Sequence, residues 1–342
     1  MLENTDGSQR TAGAFMKGKI CGTGAYVPGN RMDNHQIAAF VETSDEWIKE
    51  RTGVEARRIA SGEETTVSMA CAAGRRAVDD AGISVGEIDL IIVSTTSSNL
   101  ILPCTACEVQ RELGAEQATC FDLSAACTGF LLAYNTALAY INCGVYHTAL
   151  LIGSECLSNL MDWKDRGTCI LFGDGAGAVV LKGTEGEMYL PSTRSEGAKG
   201  AALTCKSRHD WSNLHDESGA AAMQDPDHRI GMDGQAVFRF ALKRVPEVIG
   251  EVLQKNQLRK EDITLYILHQ ANKRIVEAVA KRLEEPIEKF PMNMQEYGNT
   301  SSASIPILLD ELNRSGRLHE GDKLVLAGFG AGLTWGAAVV EW

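Results

Sequence analysis

The sequence has no excess of basic residues: 33 Lys and Arg stand against 45 Asp and Glu, a net charge of −12. General nucleic-acid binding needs a basic surface to neutralise phosphates, so that class is set aside, although an acidic partner can still meet a local basic patch. Long apolar runs are also missing. The most membrane-like stretch, 129–153, is broken by Asn135, Asn142 and His147 and reads as a buried helix followed by a buried strand, with no membrane span. Residues 1–15 are polar and hold no apolar core of a secretion signal; residues 1–16 are expected to form a flexible tail, in a cytoplasmic protein. No Pro/Ser-rich linker or low-complexity tract divides the chain. The ten cysteines lie mostly in apolar or small-residue runs, as around Cys71, Cys120 and Cys169, which suits reduced buried thiols. Cys104 and Cys107 have no second pair at ligand spacing, and Cys205, His209 and His215 read as parts of a polar lid, so no metal is expected.

What is present is an alternation. The chain has 342 residues, 44% hydrophobic and 23% charged, enough for two domains or one large duplicated one. The patterning predicts helices over 65–82, 104–113, 127–143, 235–256, 271–284 and 302–314. Strands are expected over 88–95, 118–123, 148–154, 176–182, 263–268, 287–292 and 323–328. Interleaving of this kind is the signature of α/β architecture. Moreover, DDAGISVGEIDLIIVST (79–95) and LQKNQLRKEDITLYILHQ (253–270) share one pattern, a helix end, a turn and an apolar strand. TCFDLSAACTGF (119–130) and EKFPMNMQEYGNTSSAS (288–304) then share another, and each half closes on a glycine-rich hairpin, 172–181 and 329–340. Two copies of one α/β unit, 17–185 and 186–342, are expected to pack together with a site where they meet. Residues 186–230 are expected to form an irregular connection.

The sharpest local feature is FDLSAACTGFLLAYNTALAYI, where a strand runs through small residues into a helix that begins at Cys127. A thiol at a helix N-terminus is favoured as thiolate; about 1 kcal/mol from the helix end lowers its pKa by roughly 0.7 unit, to about 10–15% thiolate at pH 7. On this segment alone a buried structural cysteine accounts for Cys127 equally well. The second half shifts the balance. LYILHQANKRI places His269 and Asn272 just past an apolar strand, and EYGNTSSAS places Asn299 at the next strand–helix turn. Strand ends of open α/β sheets are where sites gather.

SAACTGF, LHQAN and YGNTSSAS resemble the motifs around the Cys-His-Asn triad of the thiolase superfamily, specifically β-ketoacyl-acyl carrier protein synthase III. GTGAYVP (22–28), TSDEWI..RTG (43–53), DRGT (165–168), FGDGAGA (172–178) and GFGAGLTWG (328–336) extend the likeness over about 18–342. The resemblance implies a five-layered αβαβα fold from two related halves, in a homodimer. It implies that Cys127 takes an acyl group from an acyl-coenzyme A primer. His269 and Asn299 would then stabilise the enolate formed as malonyl-acyl carrier protein loses carbon dioxide, giving a 3-oxoacyl thioester and initiating fatty-acid synthesis without a cofactor. Backbone N–H groups of Cys127 and Ala331 would form an oxyanion hole. Trp47, Arg51 and Arg166 would contact the coenzyme A adenine, with Asn272 and Phe329 further along the substrate channel. Without the family, Trp47 reads as core and Arg166 as a surface charge. Arg274, Lys281 and Arg282 would dock the acidic carrier protein, against the alternative of a solvated helix face. Leu102 would floor the acyl pocket of a partner subunit, where acetyl-preferring members often carry an aromatic residue. A degradative thiolase is disfavoured because 328–336 holds no second cysteine, and the elongating synthases because Asn299 stands where they have a histidine. A chalcone-synthase-like enzyme acting on coenzyme A thioesters, a non-catalytic acyl-coenzyme A binding subunit and a cysteine hydrolase remain as rivals.

Overall fold

The computed structural model describes residues 16–206 and 229–342. Most of the expected tail, residues 1–15, and the expected lid histidines His209 and His215 lie outside them. In chain order the first elements that position the site are β1 (Met16–Tyr26), α1 (Asp45–Thr52), α2 (Thr66–Ala81), β2 (Leu90–Ser94), α3 (Thr105–Leu113), β3 (Thr119–Leu123), α4 (Gly129–Asn142), β4 (Thr148–Glu155) and β5 (Gly175–Glu185). There follow β6 (Ser192–Ser195), α5 (Gly234–Lys255), β7 (Leu265–Leu268), α6 (Lys273–Leu283), α7 (Ser304–Arg314), β8 (Lys323–Gly330) and β9 (Thr334–Glu341).

Local chemistry sets the boundaries. Thr65 caps α2 by accepting from the Ser68 N–H, while Ser68 returns a bond to the Thr65 N–H, and Gly82 ends the helix at φ +63°. β2 and β4 are buried at every position, as strands covered on both faces must be.

The strands form two main sheets, ordered β1-β5-β4-β2-β3 and β6-β9-β8-β7. In the first, β1/β5 and β5/β4 are antiparallel, and β4/β2 and β2/β3 parallel. The second repeats the series: β6/β9 and β9/β8 antiparallel, β8/β7 parallel. Three apolar clusters define the layers. α2 and α3 cover the outer face of the first sheet through Met69, Ala73, Val109 and Ile91. α4 and α7 fill the space between the sheets, with Phe130, Leu131, Ile305 and Leu309 packed among Leu90, Leu151, Ile267 and Leu326. α5 and α6 cover the outer face of the second sheet through Val248, Val252, Ile275 and Val325. The order is five layers, αβαβα. Truncating one of these fully buried aliphatic side chains costs about 2–5 kcal/mol.

Three expectations need correction. Residues 287–292 are not a strand: Ile287–Lys289 is a 3₁₀ turn between Pro286 and Pro291, neither of which can donate to a ladder. The Gln270 side chain holds the segment instead, donating to the Leu268 carbonyl at 2.8 Å and accepting from the Asn293 N–H at 3.0 Å. Ser192–Ser195, assigned to the irregular connection, is strand β6. Met16, assigned to the tail, opens β1 opposite Glu185.

Candidate active site

Two equivalent turns face each other between the sheets. After β3 the chain passes through Ser124 and Ala125 into a 3₁₀ turn, Ala126–Thr128, and then α4. In the second half Asn299 and Thr300 lead into the 3₁₀ turn Ser301–Ala303 and α7. Each turn is entered through a non-glycine residue in the left-handed region, Ala126 at φ +46° and Ser301 at φ +48°. That conformation costs about 1–3 kcal/mol and recurs where a side chain must be aimed. Ala126 thereby turns Cys127 into the interior.

Cys127 is buried and packs on the end of β8. A Cβ at Gly330 would stand 2.8 Å from Cys127 Cβ and 3.3 Å from its Sγ, so only glycine fits there. Ala331 follows directly, which places the backbone of both expected oxyanion-hole residues side by side. Burial pushes the Cys127 thiol up to about 12; the Ser301 hydroxyl pulls it down, and the Glu155 carboxylate adds to the rise. The thiolate share of about 10–15% expected from the helix end is therefore not reached, because desolvation exceeds what a helix terminus supplies.

His269 lies directly beyond β7, its N–H bonded to the Ala327 carbonyl at 2.8 Å. Its ring is buried, with Nδ1 2.7 Å from Ser304 Oγ and the Phe329 ring in an edge-type contact at 67°, centroids 5.2 Å apart. Burial drives its pKa down to about 3, so the imidazole is neutral throughout the physiological range. Asn299 is fixed on both sides by backbone bonds to Leu171 and Gly173. Its Oδ1 accepts from the Ser301 N–H at 2.9 Å, which leaves the NH₂ as the donor end of the amide. The Ser304 hydroxyl also lies 2.8 Å from the Ser301 carbonyl. Thus Cys127, His269 and Asn299 converge on one short segment, Ser301–Ser304.

The remaining expected residues are spread outward from this point. Trp47 lies on α1 with the Arg166 guanidinium 4.9 Å and the Arg51 guanidinium 5.8 Å from its ring centroid. Asn272 caps α6 by accepting from the Arg274 N–H at 2.9 Å, and donates to the Arg51 carbonyl at 3.0 Å, tying α1 to α6. Phe329 is buried behind His269. Arg274 and Arg282 are exposed and lean on α5: Arg274 over Phe238 at 5.3 Å, Arg282 donating to the Leu242 carbonyl at 3.2 Å. Lys281 on α6 and Arg239 and Lys243 on α5 are exposed as well. Leu102 is 84% exposed, in an apolar loop with Leu100 at 47% and Ile101 at 62%. Cys104 and Cys107 approach to 3.4 Å at the start of α3, and Cys205 is exposed. Sequence reasoning overlooked Glu155, Ser301, Ser304, Arg239 and Lys243. Glu155 carried a signal, an acid ending the strand TALLIGSE, whose centre is apolar.

A cysteine at this turn, on two α/β halves arranged in five layers, is the architecture of the thiolase-fold condensing enzymes. Within that class the likeness is specific. The model of 3-oxoacyl-[acyl-carrier-protein] synthase III matches residues 121–197, and that of its C-terminal region matches 253–342. The chain is 46% identical over 325 residues to the β-ketoacyl-[acyl-carrier-protein] synthase III of Clostridium acetobutylicum, covering 95% of this chain and 98% of the relative. Among solved structures, the 3-oxoacyl-[acyl-carrier-protein] synthase III of Aquifex aeolicus superposes with a TM-score of 0.87 at 41% identity, covering 95% of this chain and 100% of the other. The priming β-ketosynthase of the R1128 polyketide pathway superposes at 0.89 with 32% identity, covering 97% and 98%. The chain belongs to the β-ketoacyl-[acyl-carrier-protein] synthase III family.

Proposed function

We propose that the chain condenses an acyl-coenzyme A primer with malonyl-acyl carrier protein through an acyl-Cys127 intermediate, the opening condensation of fatty-acid synthesis. The observation that supports this most is the convergence of a buried thiol with two uncharged donors, His269 and the Asn299 amide, on the turn Ser301–Ser304. In the first step Cys127 Sγ attacks the primer thioester, and the oxyanion is held by the backbone N–H groups of Cys127 and Ala331. Coenzyme A leaves as the thiol. In the second step the malonyl thioester oxygen accepts from His269 Nε2 and Asn299 Nδ2 as carbon dioxide departs. One such donor is typically worth about 3–4 kcal/mol in the transition state. For Nε2 to donate, the single Ser304 hydroxyl proton must turn from the Ser301 carbonyl, to which it donates at 2.8 Å, to His269 Nδ1. The enolate carbon attacks the acyl-Cys127 carbonyl, the C–S bond breaks, and the departing sulfur takes up one proton from solvent, which restores the Cys127 thiol as the 3-oxoacyl-acyl carrier protein is released. No step calls for a metal or redox cofactor.

The surroundings supply binding. Trp47, Arg51 and Arg166 suit an adenine ring with nearby phosphates, and Asn272 and Phe329 line the way inward. Arg274, Lys281 and Arg282, with Arg239 and Lys243, suit an acidic carrier protein approaching a chain of net charge −12. The Leu100–Leu102 loop suits a homodimer in which Leu102 floors the partner subunit's acyl pocket. Halves 17–185 and 186–342 then supply the nucleophile and the decarboxylating pair respectively. The proposal places this work in the cytoplasm; among the described residues no helix is long and apolar enough to cross a membrane.

Intact-protein mass spectrometry after incubation with acetyl-, isobutyryl- and octanoyl-coenzyme A tests the first step. One acyl adduct is expected on the wild type and none on Cys127→Ala, while Cys127→Ala retains malonyl decarboxylation through His269 and Asn299. Loss of decarboxylation in a folded Cys127→Ala protein would refute this division of labour.

A further inference from the structure

One buried carboxyl group has no part in the steps above. Glu155 ends β4 at zero exposure, two residues past Gly153, where a Cβ would stand 2.4 Å from the Ser302 carbonyl oxygen. The end of β4 therefore lies directly against the turn that carries the two donors of the second half. Glu155 Oε2 accepts from Ser97 Oγ at 2.7 Å and from the Thr96 N–H at 3.1 Å, with Thr96 Oγ1 at 3.2 Å and Thr95 Oγ1 at 3.4 Å. Oε1 lies 3.3 Å from Thr96 Oγ1 and 3.2 Å from Ser302 Oγ. All of these partners are neutral. Proton counting then separates the two oxygens. Ser302 Oγ carries a single proton and stands between two acceptors, the Ser94 carbonyl at 2.9 Å and Glu155 Oε1 at 3.2 Å. With that proton on the nearer Ser94 carbonyl, Ser302 Oγ offers Glu155 a lone pair, and only a protonated Oε1 can meet it. A carboxylate buried among neutral groups is costly, whereas the neutral acid avoids that cost and supplies the missing proton.

We propose that Glu155 is a positioning residue for decarboxylation: as a neutral carboxylic acid it donates to Ser302 Oγ and pins the turn Ser301–Ser304 against the first half, which sets the aim of Asn299 and His269. The inference rests on those two being the decarboxylating pair. The connection runs through contacts within the turn. Oε1–H of Glu155 donates to Ser302 Oγ, which donates to the Ser94 carbonyl. On one side of Ser302 the Ser301 N–H holds Asn299 Oδ1 at 2.9 Å, and on the other Ser304 Oγ stands 2.7 Å from His269 Nδ1. A turn free to shift by 1 Å would carry both donors off the malonyl oxygen, and a displacement of that size costs about a hundredfold in rate. Burial favours the neutral form, since it raises the proton affinity of the Glu155 carboxyl. Neutrality also spares the nucleophile, because a charge at Glu155 would push the Cys127 thiol further up. The titratable groups around Glu155 are Cys127 at the turn into α4, Cys156 next in the chain, and Asp174 beyond Cys156.

The test separates the two half-reactions. Decarboxylation of malonyl-acyl carrier protein is followed by mass spectrometry of the carrier protein in the Cys127→Ala background. Single-turnover acylation of Cys127, by acetyl-coenzyme A or whichever primer of the panel labels the wild type, is followed in the wild-type background. Glu155→Gln, Glu155→Ala and Ser302→Ala are placed in each. Glutamine has the shape of the neutral acid, with a carbonyl for Ser97 and Thr96 and an N–H for Ser302, so both rates should stay within about threefold of the parent. Glu155→Ala and Ser302→Ala should lower kcat for decarboxylation at least about tenfold with the carrier-protein KM unchanged, while acylation stays within about threefold. Three results overturn the proposal. Glu155→Gln as slow as Glu155→Ala would mean that the site uses a charge. Acylation falling as far as decarboxylation would leave Glu155 a general structural role. Unchanged decarboxylation in Ser302→Ala would take the turn out of the reach of Glu155. Should Glu155→Ala not fold, Glu155→Gln and Ser302→Ala decide. A Cys127→Ala parent that decarboxylates nothing would strike the assignment of His269 and Asn299, and the proposal with it.

Discussion

At the scale of single residues, burial decides protonation. His269 is neutral in the fold because its ring is enclosed, with the pKa driven from 6.5 to about 3. The folded state therefore resists a proton that the unfolded state takes up below about pH 6.5. Stability contributed by the neutral ring is present above that pH and is lost as pH falls toward 3, at about 1.4 kcal/mol per unit. His269→Gln removes the group. Denaturant titrations at pH 7 and 4.5 should find the variant gaining roughly 2–3 kcal/mol on wild type between the two pH values; a constant difference would mean that the ring is protonated inside the fold. Cys127 and His269 were legible in the sequence because each lies just past a strand, and Asn299 because it sits among small and hydroxyl residues ahead of a helix, although the strand expected before it is a 3₁₀ turn. Ser301, Ser304 and Glu155 were not, although the first two lie within a quoted motif. Their roles depend on two turns from distant segments meeting, and a serine in a polar turn looks alike whether its hydroxyl meets water or a buried imidazole. The thiolate expectation failed for a related reason: the helix terminus is local and readable, whereas the depth of burial is a property of the assembled layers.

At the scale of elements, long apolar strands and capped helices were legible, and short or polar ones were not. β2, β4 and α2 announce themselves by continuous apolar runs or caps. β1 went unmarked because its glycines look like turn signals; in the fold Gly24 lets the strand lie on α2, where a Cβ would stand 2.3 Å from the Ala73 carbonyl oxygen. β6, Ser-Thr-Arg-Ser, has no apolar period at all. The proposed basic face was half legible: the α6 cations follow a helical spacing, whereas the exposed Arg239 and Lys243 come into consideration only because α5 packs on α6, through Phe238 under Arg274 and the Leu242 carbonyl on Arg282. Arg239→Ala with Arg274→Ala should raise the KM for malonyl-acyl carrier protein about tenfold and steepen no other parameter, since one to two lost charge contacts amount to about 1.4 kcal/mol. Steady-state assays varying each substrate check this, and an equal rise in the acyl-coenzyme A KM would move both residues off the docking face.

At the scale of the whole molecule, the duplication places a strand end from each half against the other, so that neither half alone holds both the thiol and its two donors. In the proposed homodimer the exposed loop at Leu100–Leu102 would extend the same logic to a second copy of the chain. If Leu102 floors the partner's pocket, the residue that limits primer size and the cysteine that accepts the primer belong to different subunits. Mixed dimers separate them. In one, Cys127→Ala and Leu102→Phe are combined in a single subunit beside a wild-type partner, so the only reactive cysteine meets the larger ring. In the other, Leu102→Phe and Cys127→Ala stand on different subunits, and the reactive cysteine meets leucine. Competition between acetyl- and octanoyl-coenzyme A, read as adducts on Cys127, should shift toward acetyl at least about tenfold in the first dimer only. A shift confined to the second would place Leu102 at its own subunit's pocket, and no shift in either would remove it from primer selection.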